Sequence, residues 1–252
     1  MRRALVSLAV AAILLWPNAG AANASSRTIW FSRIRWEVRE SPQPSGPGPN
    51  RFSDSDRTVW VDARRRLHLR IERRHGHWYC AELTTSRAFG YGTYVFDITG
   101  RPAGLDPNVV LGLFTWDYAP PEHHREIDIE LSRWGDPTNA NAQFVVQPYR
   151  TPGNTHRFDI RGPRARTTQA FAWTEAQVEF WSFWSRVDPT TASQALIDHW
   201  ANSGLDVPAP GDAHVHLNLW LTGGHAPTDG RSAQIVVSGF SFVPARWGRG
   251  RG

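Results

Sequence analysis

From Ile29 to Phe242 the chain is built of short β-branched and aromatic runs cut by turn residues, and nowhere does a long helical apolar stripe appear. That rhythm constrains the fold more than any other feature. Candidate strands fall at 58–61, 67–72, 78–84, 92–98, 109–115, 126–131, 141–147, 156–160, 170–173, 177–183, 213–221 and 234–242. Turn signals separate them: the Pro/Gly-rich stretch 42–49, taken as a surface loop, then 101–104, 134–137, 151–154 and 222–224. Residues 193–199 are the one predicted short helix. Strands without βαβ alternation predict an all-β fold, a sandwich of two stacked sheets, and several runs are apolar on both faces as stacking requires. At 252 residues, with no internal repeat and no linker, one domain over 25–245 is expected.

The first residues have the form of an export signal over 1–24. Arg2 and Arg3 precede an apolar run from Ala4 to Trp16, and small residues around Ala21 and Ala24 offer cleavage sites. The run is shorter than the ~20 residues that span a bilayer, so a secreted or periplasmic protein without stable membrane insertion is expected. Hydrophobic residues at 40% exclude a disordered chain. The formal charge is +5, and every basic residue is arginine. Removing Arg2 and Arg3 with the signal leaves +3, too mild to indicate a nucleic-acid partner. The segment 246–252, with its two Arg-Gly units, is expected to be a flexible basic tail. The lone Cys80 excludes an intramolecular disulfide framework and a cysteine zinc site.

The chemically informative segment is Glu126-Ile127-Asp128-Ile129-Glu130-Leu131. Alternation with period two puts the three acids on one face of a strand and the apolar residues in the core. Three carboxylates on one face repel each other and contribute nothing to folding. Mutual repulsion instead raises the pKa of one carboxyl, leaving a protonated acid beside an ionised partner. Glycosidic cleavage uses such a pair. The pattern by itself leaves three readings open: a glycosidase, a carboxylate metal site, or a solvated sheet face. With a rise of ~3.4 Å per residue the outer α-carbons lie about 13 Å apart, so a retaining mechanism requires side chains that lean together over Asp128.

Around this strand the chain resembles glycoside hydrolase family 16, the secreted β-glucanase, lichenase and laminarinase group. The family's Glu-x-Asp-x-Glu signature matches Glu126, Asp128 and Glu130 without a gap. The likeness extends over roughly 50 to 243 through Gly90-Tyr91-Gly92-Thr93-Tyr94, Leu113-Phe114-Thr115-Trp116, Ala170-Phe171-Ala172-Trp173, Val178-Glu179-Phe180-Trp181 and His216-Leu217-Asn218-Leu219-Trp220, in the family's order. The resemblance implies a concanavalin-like β-jelly roll of two curved antiparallel sheets. Glu126 would be the nucleophile, Asp128 the residue that orients and tunes it, and Glu130 the general acid/base. It implies a polysaccharide substrate, a β-glucan by analogy, cut by double displacement. Transglycosylation on the same scaffold and non-catalytic glycan binding are the alternatives. No cofactor is implied beyond the structural calcium some members carry. Three departures touch specificity: His123-His124-Arg125 ahead of the signature, Gln147 where lichenase-like members have Tyr, and Trp181-Ser182-Phe183-Trp184 in place of a Tyr-Val-Asp-Gly hairpin.

Sugar rings need flat aromatic faces and hydrogen-bonding groups. Trp116 and Trp220, on the two strands expected to flank the catalytic one, are candidate platforms, with core packing as the alternative for each. Trp134 is placed at the cleft edge or in an exposed loop. Asn218 and Gln143 are candidate contacts to sugar hydroxyls, Gln143 alternatively to the nucleophile. No metal ligands are assigned, since neither a His-Glu-x-x-His helix nor an acidic calcium loop is present. The chain is expected to act as a monomer.

Overall fold

A computed structural model describes residues 27–101, 104–162, 165–189 and 195–245. The expected export signal and basic tail lie outside these residues.

Among the described residues seventeen strands run in chain order: β1 (Thr28–Phe31), β2 (Ile34–Val38), β3 (Ser41–Ser45), β4 (Asn50–Phe52), β5 (Val59–Val61), β6 (Leu67–Arg74), β7 (His77–Ala88), β8 (Gly92–Thr99) and β9 (Val109–Trp116). They continue with β10 (Ile127–Leu131), β11 (Ala142–Val146), β12 (Thr155–Phe158), β13 (Arg166–Trp173), β14 (Val178–Trp184), β15 (Leu196–Asn202), β16 (His214–Leu221) and β17 (Ala233–Pro244).

One antiparallel sheet has the order β12-β11-β10-β9-β16-β7-β2-β1. The other runs β15-β14-β13-β8-β17-β6-β5, and β6 pairs with β7 to join the two. Their inner faces meet ring against ring. Phe144 of β11 stacks on Phe180 of β14 at 5.0 Å, and Trp36 of β2 meets Phe240 of β17 edge-on at 5.6 Å. The result is the expected all-β jelly roll.

Two expectations fail locally. The predicted helix at 193–199 overlaps an edge strand, β15, which pairs with β14 and lays Trp200 on Phe180 at 5.3 Å. A seven-residue amphipathic run does not distinguish the two periods, and ring burial against the neighbouring sheet decides for the strand. The 42–49 stretch is not wholly loop. Ser41–Ser45 pairs with Asn50–Phe52 despite Pro42 and Pro44, because an edge strand tolerates missing N–H groups.

Candidate active site

The acid/isoleucine alternation divides as the sequence requires. Ile127, Ile129 and Leu131 are fully buried in the core. Asp128 and Glu130 project from the opposite face of β10, and Glu126 leads into it, its carbonyl accepting the N–H of Gln147 at 3.1 Å. β10 lies between β9 and β11, so β16 is one strand further out. Trp220 therefore does not flank the catalytic strand directly, as the sequence reading expected. The register sets successive rows across the face. One is Gln143, Glu130, Gly112, Asn218, Glu82; the next is Val145, Asp128, Phe114, His216, Thr84.

No arginine or histidine pairs with the three acids among the described residues. Arg125, adjacent in sequence, instead grips Asp117 at 2.9 Å. Burial pushes the Glu126 carboxyl up to about 8, assisted by the charge of Glu130 and opposed by a hydrogen bond with Asp128. Burial and the charge of Asp128 likewise raise Glu130 to about 8. Asp128 is driven well above its ordinary value by burial and by Glu126. A side-chain hydrogen bond between the two lowers Glu126 and raises Asp128, so Asp128 is the proton-bearing donor of the pair.

Amides brace the row from β11 and the segment after it. Gln143 Nε2 donates to Glu130 Oε2 at 2.6 Å while its Oε1 accepts Arg157 Nε at 3.1 Å, so a guanidinium on β12 acts on Glu130 through an amide. Gln147 Nε2 donates to Asp128 Oδ2 at 3.1 Å. Gln143 is thus engaged with the expected acid/base. Arg157 is a contributor that sequence reading missed. Its only signal was register, since it sits opposite Gln143, which sits opposite Glu130.

The loop ahead of Glu126 is held in an unfavourable shape. Glu122, His123, His124 and Arg125 all have positive φ, between 48° and 62°, a region costing L-residues roughly 1–2 kcal/mol each. Neighbours fix it: Asp117 N–H donates to the His124 carbonyl at 2.7 Å, and the Thr115 hydroxyl donates to the Arg125 carbonyl at 2.8 Å. One consequence is that the His124 imidazole lies flat on Trp116, with centroids 4.0 Å apart and planes 9° apart. One face of the Trp116 platform is therefore already covered.

The other expected sugar contacts are placed as follows. Trp220 is only 6% exposed and meets Trp134 edge-on at 5.8 Å, so the partly exposed Trp134 presents the aromatic surface at that end. Asn218 is buried, its Oδ1 accepting Gly112 N–H at 3.1 Å and filling the space a Cβ on Gly112 would take. The sequence reading missed Tyr118, which is 71% exposed and projects beside His216. Among the described residues no group of three or more His, Cys, Asp or Glu is arranged to hold a metal, and no helix is long and apolar enough to cross a membrane.

No family model matches the chain, and no curated protein does. Solved structures do. The β-glucanase of Bacillus licheniformis superposes with a TM-score of 0.59 at 15% identity, covering 90% of this chain and 95% of that one. A β-1,3-1,4-glucanase (lichenase) from a mouse hindgut metagenome gives 0.61 at 19%, covering 86% and 96%. A Mycobacterium tuberculosis protein described as an immunostimulatory antigen and pseudo β-1,3-glucanase gives 0.63 at 20%, covering 84% and 91%. The chain has the jelly-roll fold of the β-glucanases and lichenases.

Proposed function

We propose that this protein is an exported retaining endo-glycosidase acting on a β-glucan. The observation that carries the reading is a row of three carboxyls on one sheet face, raised in pKa, two of them hydrogen-bonded to each other, and with no arginine paired to any of them among the described residues. In the reacting form one proton is held between Glu126 and Glu130. Ionised Glu126 attacks the anomeric carbon, the glycosidic C–O bond breaks, and the departing oxygen takes the proton of Glu130. Glu130, now a carboxylate, accepts a proton from water as the water oxygen attacks the same carbon and releases Glu126. Asp128 keeps the proton of its hydrogen bond to Glu126 and donates that bond to the ionised Glu126 carboxylate as it attacks. The chain's own carboxylates supply every step.

Because both residues titrate near 8, the singly protonated pair is most populated in that range, and kcat/KM peaks near pH 8 rather than near 5. The β-glucan assignment draws on neighbours that bear that name. The test is Glu126→Gln assayed on β-1,3- and mixed-linkage glucans. Loss of reducing-end release with a cooperative unfolding transition and no fall in Tm supports the role, and full activity refutes it. Anomer-resolved NMR of the first product distinguishes retention from inversion. Added acceptor oligosaccharide diverts product if transfer competes with hydrolysis. Tight glucan binding with no bond cleaved by the wild-type chain would instead establish a binding protein.

A further inference from the structure

Away from the acid row, the second sheet bounds a basic trench. Two adjoining hollows of roughly 250 and 580 Å³ share Arg64, Asp97, Arg186 and Ser238. Six arginines line them: Arg33, Arg64, Arg65, Arg66, Arg166 and Arg186. Asp97 is the single acid in the lining. Trp30 lines the larger hollow and is 69% exposed.

This clustering is built rather than incidental. Asp62 fixes the turn that carries three of the arginines, its Oδ1 accepting the N–H groups of Arg64 and Arg66, both at 2.9 Å. Its Oδ2 takes the Arg66 guanidinium at 2.7 Å, and Arg65 turns through a left-handed φ of 60°. Asp97, itself buried, accepts the Thr168 hydroxyl at 2.8 Å and anchors Arg186 at 3.0 Å. Arg33, Arg64, Arg65 and Arg166 are all exposed, and among the described residues no carboxylate pairs with any of them. Four exposed guanidinium forks without carboxylate partners concentrate positive charge along one trench, and fork geometry suits the planar oxygens of an anionic ligand.

We propose that this trench is a second, non-catalytic site that binds an acidic polysaccharide, with the arginine forks on its carboxylate or sulfate groups and Trp30 against the apolar face of a sugar ring. A single exposed aromatic suits a sugar ring, whereas a single-stranded nucleic acid calls for a series of stacking rings along the groove. The site is independent of the acid row. It would hold the protein on anionic matrix while leaving the catalytic face open.

The experiment is calorimetric titration of the signal-free chain with polygalacturonate, dextran sulfate, neutral dextran and oligothymidylate. Polygalacturonate or dextran sulfate binds, the stronger of the two identifying the anionic group, and dextran does not. The double variant Arg64→Ala/Arg166→Ala weakens the stronger polymer by about tenfold or more, in line with the loss of charge-assisted forks. Arg73→Ala/Arg231→Ala, exposed arginines outside the trench, makes the same charge change and leaves affinity within about twofold. Trp30→Ala weakens the polysaccharide and not oligothymidylate. Glu126→Gln keeps wild-type affinity, which separates this site from the catalytic reading. Melting curves establish that each variant is folded. Equal losses in the two arginine pairs, tighter binding of oligothymidylate than of either acidic polymer, or no binding of either acidic polymer overturns the proposal.

Discussion

Glu130 and Glu82 stand in one row across the same sheet face, separated by Gly112 and Asn218, and they titrate in opposite directions. Burial alone would push Glu82 up, but the Arg39 guanidinium at 2.8 Å and the His216 ring at 3.2 Å outweigh it and hold the carboxyl below its ordinary value. Glu130 has no such direct partner; the Gln143 amide and the charge of Arg157 behind it lower it less than burial and Asp128 raise it, and it rises to about 8. Shared burial with different counter-charge gives two kinds of acid. Glu82 is neutralised by a fixed cation and serves the fold. Glu130 is neutralised by a proton, which it can give away.

Four outcomes would break or sharpen this contrast. The largest effect is expected at Glu130→Gln, which should lower kcat on glucan by about a thousandfold or more while leaving the fold intact, as removal of a proton donor to a poor leaving group does. An aryl glycoside with a good leaving group should recover much of the first step; unchanged glucan hydrolysis would dissolve the distinction. Glu82→Gln should do the reverse, costing about 3 kcal/mol of stability in urea unfolding because Arg39 loses its carboxylate partner, with kcat per folded molecule retained. The third outcome concerns pH. A carboxyl raised from 4.5 to about 8 binds its proton more tightly folded than unfolded, so its contribution to stability is complete below 4.5 and is lost as pH rises through 8. Glu126→Gln should therefore raise Tm little at pH 4.5 and most above pH 8, whereas Glu82→Gln should show no such gain at high pH. The smallest effect is Gln143→Ala. Removing a donor that stabilises the ionised form raises the Glu130 pKa further, moving the alkaline limb of kcat/KM upward.

The acid row was legible because strand periodicity is local: Ile127 and Ile129 had to face inward, so Asp128 had to face out. Its braces were only half legible. Gln143 and Gln147 stood out as nearby amides, but pairing them with Glu130 and Asp128 depends on a register that residues far along the chain fix. The Arg39–Glu82–His216 group joins β16 and β7 with the segment after β2, and Arg39 bonds Glu82 from 43 positions away. Trp116 and Trp220 were sought as open platforms, but composition carries no information on what covers a ring. One lies under His124, and the other is buried against Trp134.

By itself, the sequence determined the all-β class and the side of the strand from which the acids project, because these follow from nearest-neighbour geometry and periodicity. Tertiary structure alone decided which acid meets an arginine and which meets only an amide, which tryptophan stays open, and that residues from separate turns assemble a basic trench. Sheet pairing brings together side chains that are far apart in sequence, and the field each one feels is set by those distant neighbours.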